Sequence, residues 1–437
     1  MPASSTAGRL IRRAAGPRPN GPAANRDFRL LFAGRSVSLL GDGAFLVALA
    51  WQAYTLSNAP TALSLLGISM TVPLIVLLLF GGVVSDRYDR RRVMLLADTA
   101  RAVLLALLAL LAASGALRLW HMMVIVAIYG GAQAFFDPAS DAILPEILPA
   151  SQLGEANALE QVARPLTLRL AGPALGGVLV GVLGLGAAFL ADSMTFLLSA
   201  AALWSMSSRP SAALHRAGAP SSETSTGRQL LEGWSYVRRH VWLWGTFASA
   251  GVAYLLFMGP AEVLLPFMVK HELKGSGIEL GLVLGAGGLG SVACALVMLR
   301  SGLPSRSITF IYAVWTLATL AVAGYGLATA MWQLMLASLA FNLLETAGTI
   351  VWSTMKQRRV PGELLGRVSS LDWLISIGLL PVSFALTAPL AATLGVRTTL
   401  IGAGLAGGVA TLGGLLLPGM QAVDRSMAPA THVGVQI

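Results

Sequence analysis

The chain has 437 residues, of which 55% are hydrophobic and only 11% charged, with a mean hydropathy of +0.72. Soluble domains carry roughly 25% charged residues, so water is not the solvent for most of this surface. The net charge of +10 does not signal nucleic acid, which needs basic residues gathered on one folded face; here they sit between apolar runs.

A helix crosses the hydrocarbon core with roughly 20 mostly apolar residues. Continuous runs of that kind recur along this chain, whereas barrel strands would be short and alternating. Residues 1–28 hold Arg9, Arg12, Arg13, Arg18 and Arg26 among Pro and Gly without an apolar core, and are expected to form a disordered cytoplasmic tail. Apolar runs then predict helices near 29–57, 60–85, 93–114, 119–137, 157–183 and 186–206, an N-terminal six-helix bundle over 29–206. A polar linker, 207–240, follows; its second half places Leu230, Leu231, Trp234 and Val237 on one side, as in an amphipathic helix. Helices near 242–269, 278–300, 307–327, 330–353, 367–390 and 394–417 form a second bundle over 241–418, followed by a cytoplasmic tail over 419–437. With both termini placed inside, only Arg118, Lys270, Lys274 and Arg397 of the 30 Lys and Arg residues fall in outer connections. The positive-inside rule therefore puts both termini in the cytoplasm.

The expected fold is an all-α polytopic membrane protein with two six-helix units. The lone cysteine, Cys294, leaves no internal disulfide and no cysteine metal cluster, and the scattered histidines show no metal-ligand spacing. A G-x-G-x-x-G match at residues 285–290 lies inside an apolar helix with no strand before it, and reads as helix packing. No phosphate-binding loop is present, no cofactor is expected, and nothing gathers into a catalytic cluster, so the chain is not expected to be an enzyme.

The turn after the second helix packs Asp86 and Asp89 with Arg87, Arg90, Arg91 and Arg92 behind Gly81 and Gly82. Gly82, Asp86, Arg87, Arg90 and Arg91 resemble the G-x-x-x-D-R-x-G-R-R signature of the major facilitator superfamily, with Asp89 where that pattern has glycine. In the fifth helix, Gly172, Pro173, Gly176 and Gly177 resemble the G-P-x-x-G-G motif of that superfamily's antiporters and drug exporters. Residues 135–139, 144–149, 156–159, 232–240 and 366–370 look like the bacterial subgroup of enterobactin exporters and macrolide-efflux proteins.

The resemblance implies two pseudo-symmetric six-helix bundles around a central cavity, with alternating access and a cytoplasmic gate at Asp86 and its arginines. The implied activity is export of a small amphiphilic molecule (drug, macrolide or siderophore-like), in exchange for protons, by a monomer in the inner membrane. Partners would be substrate, protons and membrane lipid. An importer or facilitator on the same fold is the nearest alternative, and a non-transporting sensor or membrane enzyme the alternative of another class. The fourth helix lacks the buried arginine of many proton-coupled drug exporters, so their coupling is not carried over.

Charges inside the membrane are costly, about 2.5–3.5 kcal/mol each at a helix centre on insertion scales. Asp42 and Arg169 lie at similar depth in helices 1 and 5, where they can pair, either as a static pair holding the bundle or in a proton or substrate role, with Asp42 the first candidate for the coupling carboxylate and Glu345 the second. Asp98 and Arg101 are expected to be a structural pair snorkelling toward the cytoplasm, and Asp192, nearer the outer face, an interfacial cap or partner and a further candidate for the coupling and substrate cavity. Ser338, Asn342, Glu345, Thr349 and Ser353 form a polar stripe on helix 10 that is expected to line the cavity with Gln133, Tyr129 and Glu262. Trp51, Tyr54, Phe135, Phe136 and Trp352 would supply apolar surface.

Overall fold

A computed structural model describes residues 21–207, 226–301, 304–421 and 424. Residues 1–20, 208–225 and 425–437 of the expected tails and linker lie outside the described residues, as do a few side chains, including that of Asp86.

The chain begins its first helix where Asn25 accepts hydrogen bonds from the amides of Asp27 and Phe28, an N-cap worth about 1 kcal/mol. Six helices follow: α1 (Arg26–Leu56), α2 (Pro60–Arg87), α3 (Arg90–Ala113), α4 (Leu119–Ile147), α5 (Ala150–Arg164, prolonged to Leu183) and α6 (Leu185–Trp204). A connecting helix, Thr226–Arg239, leads to α7 (Val241–Phe267), α8 (Gly277–Ser301), α9 (Ser307–Leu327), α10 (Met331–Arg359), α11 (Gly362–Gly378, resuming over Leu380–Leu394) and α12 (Val396–Leu415). Among the described residues there are thus 12 helices long and apolar enough to cross a membrane. α4 and α10 run past their expected ends at 137 and 353.

The halves repeat one plan. α4 and α10 both have 29 residues, and α6 and α12 both have 20, each entered through a glycine of positive φ, Gly184 (φ 86°) and Gly395 (φ 84°). That backbone region is open to glycine at no steric cost, so the sharp α5–α6 and α11–α12 turns rest on these residues.

α5 is the irregular element. Pro165 and Pro173 cannot donate backbone hydrogen bonds, and the helix widens into a π-helical stretch at Pro165–Ala171, returns to α over Gly172–Val178 and widens again at Leu179–Leu183. Gly172 and Gly176 bring it against Gly43 and Ala44 of α1, while Gly177 faces Gly281 of α8 across the two halves. A Cβ on Gly172, Gly176 or Gly177 would lie 2.6–2.8 Å from opposing backbone, closer than side-chain atoms pack.

The halves are joined at the end away from the termini. Tyr54 Oη donates to the Val263 carbonyl at 2.6 Å, and Lys270 Nζ donates to Thr55 Oγ1 at 2.8 Å while lying over the Trp51 ring. One hydrophobic cluster there combines Val47 and Ala50 of the first half with Phe257, Leu264, Val269 and Leu280 of the second. Toward the termini the clusters belong to one half each: Phe28, Met94, Phe136 and Leu203 in the first, Trp242, Tyr312, Trp352 and Val368 in the second. The molecule is therefore sealed at the far end and parted toward the end carrying the termini.

The connecting helix belongs to the second half. Val237 is buried in that half's cluster, Tyr236 Oη donates to the Arg359 carbonyl, and Arg367 Nη1 donates to Glu232 at 2.5 Å.

Candidate functional site

The α2–α3 turn is only Tyr88–Asp89, with Asp89 capping α3 by accepting from the Arg92 amide at 3.0 Å. This explains why a residue other than glycine serves at that position. Arg90 donates to the Ala142 carbonyl at 2.6 Å and to Glu146 at 2.9 Å on α4. Arg91 donates to the carbonyls of Leu203 and Trp204, a cation placed on the negative end of the α6 dipole. Both arginines thus tie the first half together, while Arg87 is exposed. The close helix crossing belongs to Gly81, where a Cβ would meet the Ala134 carbonyl at 2.0 Å; at Gly82 it would meet open space.

Asp42 and Arg169 do not make the pair that their depths allow. The π-helical stretch carries Arg169 and inserts an extra residue, which turns the rest of the helix by roughly 100° about its axis. Arg169 Nη1 instead lies 3.5 Å from Glu345 Oε2 on α10, across the two halves, its side chain about half exposed. Glu262 on α7 is exposed and within electrostatic reach of Arg169. Two carboxylates of the second half therefore face one guanidinium of the first in the central cleft.

Asp42 accepts a short hydrogen bond from Tyr129 Oη. With Arg35, Arg101, Gln133, Asp137 and Arg164 it lines a cavity of about 160 Å³ within the first half. Tyr129, Gln133 and Asp137 succeed one another at four-residue spacing on α4. That spacing is visible in the sequence and could have brought Asp137, which sequence reasoning missed, into the site.

Asp98 and Arg101 do not snorkel. They are 0% and 4% exposed, with Arg101 Nη2 2.5 Å from Asp98 Oδ1. The guanidinium lies 4.5 Å from the Phe136 ring centre and 4.4 Å from that of Phe196, a cation held between two aromatic faces. α3 thereby supplies the buried cation that α4 lacks.

Asp192 is not an interfacial cap. It is fully buried and packed on α1 at Gly41, where a Cβ would lie 2.1 Å from Asp192 Oδ1. Thr195 Oγ1 donates to Oδ1 at 2.9 Å, while Oδ2 has no hydrogen-bond partner among the described residues. Arg101 is paired with Asp98, and Asp42, Asp137 and Asp192 lie within electrostatic reach of the same guanidinium.

The stripe on α10 divides. Ser338 is buried, and both it and Asn342 pack on α8 at Gly287; Asn342 Nδ2 donates to the Ser338 carbonyl. Glu345 reaches Arg169 of the opposite half, and Thr349, which is exposed, donates its Oγ1 to Glu345 at 2.9 Å; Ser353 is partly exposed. Glu345 also borders a narrow pocket with Tyr254, Phe257, Trp315 and Phe341. Counted from their helix starts, Gln133 and Glu345 occupy equivalent positions, as do Tyr129 and Phe341. Among the described residues, no group of His, Cys, Asp and Glu could hold a metal ion.

The family model of transmembrane secretion effectors matches residues 18–435. The chain is 26% identical to the uncharacterized MFS-type transporter YfiS of Bacillus subtilis, over 79% of this chain and 83% of the relative. It is 26% identical to the multidrug efflux pump Tap of Mycolicibacterium fortuitum (89% and 95% covered) and 22% to macrolide efflux protein A of Streptococcus pyogenes (85% and 90%). In fold it is similar to a bacterial homologue of the iron transporter ferroportin in an inward-facing state, with a TM-score of 0.64 at 18% identity, covering 89% of this chain and 98% of that one. With twelve spanning helices in two matched halves and a family match along nearly its whole length, the chain belongs to the transmembrane secretion effector family of major facilitator transporters.

Proposed function

We propose that this transporter exports a small amphiphilic molecule in exchange for protons, as a monomer in the inner membrane with both termini in the cytoplasm. The state with its halves parted toward the termini is then the inward-open one, and the contacts of Tyr54, Lys270 and Gly177 form the closed outer gate. Similarity to a multidrug efflux pump and a macrolide efflux protein supports the outward direction, and the Lys/Arg bias supports the orientation.

One observation carries the coupling assignment. Asp42 borders a cavity, bonded to Tyr129, while the Arg101 guanidinium is held against Asp98. Asp98 and Asp192 are buried and Asp42 is half-buried beside the same Arg101 guanidinium, with Asp137 also at the cavity while Arg35 there is paired with Glu160; excess negative charge away from water is costly, and proton uptake would relieve it. Of Asp42, Asp98 and Asp192, Asp42 is the one that borders the cavity, which Asp137 shares, and Asp192 is the sealed one behind α1. Asp86 would close the inner gate in the opposite state.

The experiment is uptake into everted membrane vesicles with and without an imposed proton gradient. Gradient-dependent accumulation of a dye or macrolide supports the reading. Accumulation that ignores the gradient rejects antiport, and accumulation only in right-side-out vesicles rejects export.

A further inference from the structure

The pocket beside Glu345 is apolar and aromatic, formed by Tyr254, Phe257, Trp315 and Phe341, and encloses only about 40 Å³ in this state. Drug-sized ligands fill pockets of roughly 300–1,000 Å³, so this one takes a single apolar arm and leaves the rest of a ligand in the central cleft. At the pocket's rim the Glu345 carboxylate holds Arg169 at 3.5 Å, long for an ion pair, with the arginine side chain half in the open. Glu262 and Tyr254 lie within electrostatic reach of the same guanidinium. Arg169 comes from the opposite half of the molecule and sits on the π-helical stretch of α5.

We propose that this is a site for amphiphilic cations, in which the ligand's apolar arm enters the aromatic pocket, its positive charge takes Glu345, and Arg169 is a tethered competitor that the ligand displaces. The charge balance favours this ligand class: two carboxylates face one guanidinium, so an added cation completes the balance and an anion worsens it. The aromatic faces add cation attraction of their own. Displacing Arg169 also removes the ion pair that holds α5 to α10 in this state, which links occupancy of the site to movement of the halves. The inference rests on the proposed transport function and narrows its substrate to cations.

Tetraphenylphosphonium and tetraphenylborate have nearly the same shape and opposite charge, which isolates the electrostatic part. Binding of each is measured on the purified full-length protein by equilibrium dialysis in one detergent, and the charge variants should separate the two probes. Glu345→Gln should weaken tetraphenylphosphonium at least tenfold and leave tetraphenylborate unchanged or tighter. Arg169→Ala should tighten tetraphenylphosphonium severalfold by removing the competitor. Phe341→Ala should weaken both probes, and thermal denaturation of each variant identifies any that fails to fold. Should Glu345→Gln be misfolded, Glu345→Asp and Arg169→Ala carry the test. No tetraphenylphosphonium binding to the folded wild type, or weaker binding in Arg169→Ala, overturns the proposal. Because binding is read without a gradient, failure of proton-driven transport would sink the antiport reading and leave this one standing.

Discussion

Gly177 of α5 and Gly281 of α8 meet with no room for a side chain on either: a Cβ on Gly177 would lie 2.8 Å from the Gly281 Cα, and one on Gly281 2.7 Å from the Gly177 Cα. This contact joins the two halves near the sealed end. Substituting Gly177→Val should push the halves apart there, at a cost of about 1–3 kcal/mol as for other overpacked contacts. The expected outcome is an outer end that opens, read as faster labelling of a cysteine placed at Ala50, in a cysteine-free background, by a reagent that cannot cross the membrane. Unchanged labelling in a stable variant would remove this contact from the outer gate.

Gly41 and Asp192 give a second steric test. Gly41→Ala puts a methyl 2.1 Å from Asp192 Oδ1, and should lower the melting temperature of the solubilised protein by an amount equivalent to about 1–3 kcal/mol. Adding Asp192→Ala should recover part of the loss, because one of the two obstructing oxygens is gone while Thr195 Oγ1, at 2.2 Å, remains. Equal melting temperatures for Gly41→Ala with Asp192→Ala and Gly41→Ala with both Asp192→Ala and Thr195→Ala, each matching the single variant, would mean that neither side chain sits under α1 at Gly41.

The arginines of the α2–α3 turn separate fastening from gating. Arg91→Ala removes charge-assisted hydrogen bonds to the end of α6 and should cost about 1.5–3 kcal/mol of stability. Asp86→Asn should leave the melting temperature unchanged and slow transport, if Asp86 closes the inner gate. A normal transport rate in purified Asp86→Asn contradicts the gate assignment.

Continuous apolar runs fix helix number and approximate ends, because crossing a membrane demands them whatever the packing. Side-chain partners depend on helix rotation, which depth along the helix does not supply. Depth alone pairs Arg169 with Asp42, whereas Arg169 sits in the π-helical stretch Pro165–Ala171, whose helix rotation differs from a regular helix, and faces Glu345. Asp98 and Arg101 lie close enough to the loop in sequence to reach water, yet their face of α3 is covered by Phe136 and Phe196 from two other helices. Gly82 matches the signature by spacing, whereas the tight crossing falls to Gly81, which only the position of α4 reveals.

Orientation rests on the Lys/Arg bias and can be tested directly. Reporters fused after Ile437 and inserted near Ala219 should both read cytoplasmic, and one near Gly275 should read external. A periplasmic signal from either of the first two would invert the inward-open assignment.

The central claim is that Asp42 carries the proton that drives export. In proteoliposomes, Asp42→Asn should lose accumulation of substrate against its gradient while retaining exchange of substrate across the membrane, since the cavity remains and only the titrating group is gone. The decisive comparison is uphill accumulation against exchange for wild type and Asp42→Asn at matched amounts of folded protein. Abolished accumulation with preserved exchange is the predicted result; a well-folded Asp42→Asn transporter that still accumulates substrate uphill contradicts the account.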